Sequence, residues 1–317
     1  MVDGRLLSSV NFLIGVCVGL FLPAFSSEFT VDADALYWKA NESGLSYALE
    51  TRKDSSVLKQ PKFEWDFGFK LALGYFLSHH QWDILLRLTH LHTHADSLLH
   101  AKEDKTLYPL WISSQENSPL SAEQIKMHWR LHLSFLDALA AKSVRSRAHF
   151  ILYPQLGLRY ALVRQKFNLE YRGGMFTPEK EEDLSMKNKF SGIGPYAALG
   201  MQWPFSRHFS LCANGGLSCP YGEFYLHQDE DISKGHTKIF ALRDTFMRIV
   251  LIADANVVLR WQKIWEKSQK ILSLQVGWDG VLLFKQNRLV RFFENSLPEN
   301  ASNLELKGWE LGVHFNF

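Results

Sequence analysis

Polar and apolar residues alternate with period two along most of the chain. In residues 63–75, Phe63, Trp65, Phe67, Phe69, Leu71, Leu73 and Tyr75 share one face. Glu64, Asp66, Gly68, Lys70, Ala72 and Gly74 share the other. Successive side chains of a strand point to opposite sides, so the segment predicts a strand with one apolar, aromatic-ended face. The pattern recurs. Trp82, Ile84, Leu86 and Leu88 oppose Asp83, Leu85 and Arg87. Trp129, Leu131, Leu133 and Phe135 oppose Arg130, His132 and Ser134. Leu156, Leu158, Tyr160 and Leu162 oppose Gly157, Arg159 and Ala161. Met247 to Trp261 oppose Arg248, Asp254, Asn256 and Arg260, and Leu272 to Phe284 oppose Ser273, Gln275, Gly277 and Asp279.

The C-terminus, GWELGVHFNF, places Trp309, Leu311, Val313, Phe315 and Phe317 on one face and Gly308, Glu310, Gly312, His314 and Asn316 on the other. An exposed edge this apolar would aggregate in water. It resembles the last strand of bacterial outer-membrane barrels, which the barrel-assembly machinery reads. Connections between strands alternate in length. Short ones lie near 77–79, 140–147, 204–206 and 262–269; long polar ones lie near 93–125, 172–187, 228–242 and 286–302. Short turns on one side and long loops on the other are the mark of a membrane barrel. Counting back from Phe317 gives about ten strands: 303–317, 270–285, 245–261, 207–227, 188–203, 148–171, 126–139, 80–92, 63–76 and 44–51. Residues 29–39 are an eleventh candidate, and Gly215, Gly216 and Pro220 could break the long 207–227 segment. Single-chain bacterial barrels have even strand numbers. The expectation is an all-β fold: a closed antiparallel transmembrane β-barrel of ten to twelve strands.

Composition alters this picture little. Charged residues make up 21% and the net charge is +2, so no nucleic-acid partner is implied. Aromatics are abundant at 14%. Arg5, the apolar stretch 11–25 and the small residues Ala24 and Ser26 read as a signal peptide over 1–26, leaving 27–317 as the barrel domain. Cleavage would remove Cys17 and leave Cys212 and Cys219, whose pairing stays open.

The polar faces nominate pore-lining residues: Asp66, Lys70, Asp83, Arg87, Arg130, Arg159, Arg248, Asp254, Arg260 and Asp279. Both signs occur without a ring of one sign, so a mild anion preference is the most this set supports. His90, His92 and His94 alternate on one outward face. Alternate histidines can hold zinc, but a polar cap at the membrane interface explains them better, and no metal or other cofactor is expected. No G-x-S-x-G motif occurs, and His208 with Ser210 or His132 with Ser134 are mere strand neighbours. An enzyme is therefore not expected.

The blocks ALYWKANESGLSYAL, FEWDFGFKLALGYFL, WDILLRLTHLHTHA, FSGIGPYAALGMQWPF and RHFSLCANGGLSCPYGEF are similar to the Legionella major outer membrane protein-like family, whose members also occur in chlamydiae. The resemblance spans nearly the whole mature chain. It implies a porin-like barrel in the outer membrane of a Gram-negative bacterium, and it brings no catalytic residues. The expected function is passive diffusion of ions and small hydrophilic solutes. A closed structural or adhesion barrel is the alternative, and an outer-membrane lipase or protease a second one. Expected partners are outer-membrane lipid, the assembly machinery through the C-terminal strand, and small solutes. A homo-oligomer is left open.

Overall fold

The structure is a computed structural model that describes residues 29–53, 55–77, 81–102, 104–111, 121–145, 150–174, 181–232, 237–265, 270–289 and 301–317. The signal-peptide reading and Cys17 lie outside these residues.

The chain runs up and down around a closed antiparallel barrel. β1 (Phe29–Glu42) rises from the end that carries the short turns. It is followed by β2 (Ala48–Arg52) and β3 (Ser55–Lys59), which leave the wall. β4 (Trp65–Leu77) descends, β5 (Trp82–His100) rises, and β6 (Thr106–Pro109) again leaves the wall. β7 (Gln124–Ala141) descends to the short β8 (Val144–Arg145). β9 (Ile151–Arg172) and β10 (Glu182–Pro204) are the longest strands. β11 (Phe209–Ser218) continues into β12 (Tyr221–Ile232), and β13 (Thr237–Ile249) into β14 (Ile252–Trp265). β15 (Lys270–Asn287) and β16 (Ser302–Asn316) complete the wall, and β16 pairs with β1 along thirteen residues to close it.

β10 pairs with both β11 and β12, so those two form one stave. The interruption falls at Cys219 and Pro220, where proline has no N–H to give. The ladder steps past it through Cys219 N–H to Pro195 O at 3.1 Å and Val250 N–H to Pro220 O at 3.0 Å. Counted as staves, the barrel has ten. The expected number is right, but its membership needs one correction. Residues 29–39 are a spanning strand, whereas 44–51 contribute to a small separate sheet, ordered β3-β2-β6, at the long-loop end. The reason is chain reach: the hairpin 48–59 is too short to span, and β1 already fills the place beside β4.

Two solvents shape the wall. In the lower half, apolar side chains face out and polar ones face in. Phe67, Leu73, Leu86, Leu158, Val257, Val276 and Leu311 are exposed on this outer band. Above it the arrangement inverts. Leu36, Trp38, Leu91, Trp129, Leu131, Leu133, Val163, Phe167, Met186 and Phe190 are buried inside, while Arg130, Arg164, Lys166, Lys187 and Lys189 stand outside. The switch is visible within one strand: Phe135 points in at 2% exposure and Leu136 points out at 43%. Lipid accepts only apolar side chains on the outer face, and water favours the opposite. The upper half therefore stands clear of the hydrocarbon and is packed like a soluble protein.

This inversion overturns the expected facing of 129–135. Trp129, Leu131, Leu133 and Phe135 line the interior, and Arg130 lies outside the barrel, not in its lumen. Period two alone says which residues share a face. It does not say whether that face meets lipid or a core.

Candidate functional site: the filled lumen

The lumen has three layers. The lowest, towards the short turns, is polar and partly open. There Arg260 donates to Gln275 at 3.0 Å, Tyr153 to Gln202 at 3.2 Å, and His314 lies between Asp32 and Asp34 at 2.8 and 3.4 Å.

The middle layer is a network of ions drawn from eight strands. Arg159 on β9 donates two bonds to Asp137 on β7, at 2.7 and 3.0 Å. It also reaches Asp254 on β14 at 2.8 Å. Arg87 on β5 shares Asp137 at 2.8 Å, and the Tyr196 hydroxyl on β10 donates to Asp254 at 2.8 Å. The Arg159 guanidinium lies over the rings of Tyr196 and Phe135, at 4.2 and 4.8 Å. Beside this group, Lys70 on β4 pairs with Asp279 on β15 and with Glu310 on β16 at 3.1 Å. Gln275 donates to Glu310 at 2.7 Å and to Asp34 at 3.1 Å. Charges taken out of water must be paired and hydrogen-bonded to persist. Lys70, Arg87 and Arg159 face Asp137, Asp254, Asp279 and Glu310, three cations against four carboxylates, each carboxylate in contact with at least one cation. A cavity of about 30 Å³ remains among them, room for roughly two water molecules.

The upper layer is apolar and continuous with the cap. Trp38, Leu91, Leu131, Phe167 and Phe190 from the wall form one buried cluster with Leu107 from the loop sheet and Leu45, Tyr47 and Trp111 from the segments flanking it. Trp111 Nε1 donates to Ser46 O at 2.7 Å, and its ring meets Phe167 edge-on at 5.5 Å. The Tyr47 hydroxyl bonds Ser97 on β5 at 2.7 Å. The upper end of β15 and the residues just beyond it also turn inward. Lys285 has φ +52°, a left-handed turn uncommon for a residue with a side chain. Beyond it Gln286, Asn287, Arg288 and Leu289 are buried. Asn188 on β10 donates to Gln286 O at 2.9 Å, which ties this segment to the far wall.

The residues nominated from sequence divide accordingly. Lys70, Arg87, Arg159, Asp254 and Asp279 meet in the middle network, and Arg260 lies below it. Asp66 stands near the upper rim, accepting from Thr93 at 2.7 Å, and Asp83 lies near the lower rim at the start of β5. Arg248 is exposed and sits over the Phe246 ring at 5.4 Å. Asp137, Glu310 and Tyr196 were missed. Asp137 was hidden by the reversed facing of β7; the run Leu136, Ala138, Ala140 was the signal that could have set it right. His90, His92 and His94 do face outwards, His92 beside His132 at 3.1 Å. Among the described residues no group of three or more ligands is placed to hold a metal. Cys212 and Cys219 are free and lie on opposite faces of their stave.

A family model described as the Legionella pneumophila major outer membrane protein precursor matches residues 21–317. The chain belongs to that family. The Legionella outer membrane protein family places it in the outer membrane of a Gram-negative bacterium, so the short turns are periplasmic and the capped end faces outside. No curated protein matches the chain. Among solved structures it is similar to the outer membrane protease OmpT of Escherichia coli, at 12% identity and TM-score 0.43, over 93% of this chain and 99% of that one. It is also similar to the translocator domain of the autotransporter NalP of Neisseria meningitidis, at 11% identity and TM-score 0.33, over 99% and 96%. A third is Ail of Yersinia pestis, at 10% identity and TM-score 0.27, over 92% and 99%.

Proposed function

We propose that this family member works as a closed outer-membrane barrel, a structural scaffold that presents its capped crown outside the cell, and not as an open diffusion channel. The observation that supports this reading is the upper lumen. A single apolar cluster runs from Trp38 and Phe167 on the wall to Trp111 on the cap. Ten-stranded barrels lie near the size that side chains can fill, and far below that of water-filled porins. An ion would have to cross an apolar layer that offers it no substitute for hydration. The ion network beneath adds a second obstruction, since its side chains pair across the lumen and leave a cavity of only about 30 Å³.

Single-channel recording in planar bilayers tests this. The expected result is well-inserted protein without conductance steps. Regular steps at low voltage would restore passive diffusion of small solutes as the better reading.

A further inference from the structure

The outer wall just above the lipid-facing band carries an unbalanced cationic patch. Strand pairing puts His94, Arg130, Lys166 and Lys187 side by side across β5, β7, β9 and β10. One pair lower, His92, His132, Arg164 and Lys189 form a second row. Neighbouring strands lie about 4.8 Å apart and alternate residues of a strand about 7 Å apart, so the patch is about 7 Å high and four strands wide. All eight side chains are exposed; neither row contains a carboxylate, and the one beside them is Asp66 on β4, 3.8 Å from His94.

The rows above balance themselves. Lys126 pairs with Glu170 at 3.1 Å, and His128 with Asp96. Within the two rows, Arg130 touches His128, but among the described residues Arg130, Arg164, Lys166, Lys187 and Lys189 have no acidic partner. The far wall differs. There Lys39 and Lys307 stand side by side, and Lys307 is held by Glu305 at 2.9 Å.

Below the patch on the same strands, past one row of His90, Ser134, Leu162 and Ser191, the residues Leu88, Leu136, Leu158, Tyr160 and Ile193 are exposed on the apolar band. Cations thus stand at the height where lipid headgroups begin, over a surface suited to acyl chains. We propose that this wall binds a phosphorylated glycolipid of the outer leaflet, the phosphates on Arg130, Arg164 and Lys189 and the chains against Leu136, Leu158 and Ile193. Guanidinium groups suit phosphate because they donate two parallel bonds. The apolar surface below favours lipid over a free anion. The inference rests on the outer-membrane location and is independent of whether the lumen conducts.

The test uses refolded barrel in neutral-detergent micelles, with bisphosphoryl lipid A as probe and the same lipid stripped of both phosphates as comparison. Retained lipid is measured by native mass spectrometry. The phosphorylated lipid is expected to bind roughly tenfold or more tightly than the stripped one. The combined substitution Arg130→Gln, Arg164→Gln and Lys189→Gln is expected to abolish that preference, while Lys39→Gln with Lys307→Gln keeps it. Equal binding of the two lipids by the wild-type barrel would overturn the proposal. So would displacement of the lipid by inorganic phosphate at equal concentration, or equally tight binding of a sulfated oligosaccharide without acyl chains. If the triple variant fails to fold, as seen by its migration on unheated gels, the two-lipid comparison on wild type still decides.

Discussion

Arg159 and Asp254 are 95 residues apart in sequence and meet across the lumen at 2.8 Å, while Asp137, fully buried, holds the other edge of the same guanidinium. This pairing ties β7, β9 and β14 together inside the membrane. Removing one partner of a buried, hydrogen-bonded ion pair leaves an uncompensated charge, which typically costs about 3–5 kcal/mol. Arg159→Ala should therefore lower the urea midpoint of the refolded barrel markedly. Asp137 also holds Arg87, so replacing Arg159 and Asp137 together by Leu should cost less than the sum of the two single replacements, though not nothing. If the two costs simply add, the charges are not coupled as described.

The seal in the upper lumen can be opened in a second experiment. Trp38→Ala combined with Phe167→Ala removes two buried rings from the apolar layer. Each truncation should cost about 3–5 kcal/mol, so the variant needs a stabilising detergent. Conductance should appear where the wild type shows none. A variant that folds and remains silent would put the closure elsewhere, in the ion network or the segment 286–289.

The lipid-facing band should reject charge where the crown tolerates it. Leu274→Arg and Leu251→Arg place a cation on exposed apolar positions of the wall, at about 2–4 kcal/mol near the bilayer midplane. Arg130→Leu, on the outer face above the band, should change stability by a few tenths of a kcal/mol. Equilibrium unfolding in lipid vesicles compares the three. Equal costs would mean that the boundary between Phe135 and Leu136 has been misplaced.

Assembly should depend on the last outward residue. Phe317 packs edge-on against Phe315 at 4.6 Å, and its N–H donates to Phe29 O at 3.0 Å. Deleting Phe317 should reduce insertion into the outer membrane far more than Asn316→Ala. Cell fractionation after equal expression measures this, and equal insertion of the two variants would contradict it.

Acid should loosen the cap. Glu50, on the loop sheet clear of the membrane, accepts from Lys105 at 2.8 Å and lies 3.3 Å from Lys59. The hydrogen bond from Lys105 holds its carboxyl below the ordinary range, against a smaller opposing effect of burial, and Lys59 adds to the lowering. With the folded pKa below the unfolded one, the pairing stabilises the sheet above the unfolded value and is lost as pH falls through the folded value. Amide exchange at Leu49 and Val57, corrected for intrinsic rates, should quicken under acid in the wild type but not in Glu50→Gln.

The sequence by itself determined the lower barrel. Lipid admits only apolar side chains on the outer face, so the alternation in Trp65–Tyr75, Leu156–Tyr160, Leu272–Trp278 and Trp309–Phe317 could face only one way. The same physics made nine of the ten staves legible from the terminal strand backwards, within an expected ten to twelve. The tertiary structure decided the rest. An apolar face looks alike whether it meets lipid or a protein core, so Trp129–Phe135 could not reveal that they fill the crown. The first strand competes with 44–51 for one place in the wall, and only closure against β16 selects it. Asp137, Arg159 and Asp254 come from strands that no local pattern connects, and the segment that follows the turn at Lys285 is held by Asn188 on the far wall. Whether the lumen is filled depends on which side chains converge at its axis, and that convergence is set by the closure of the barrel and not by the order of residues along any one strand.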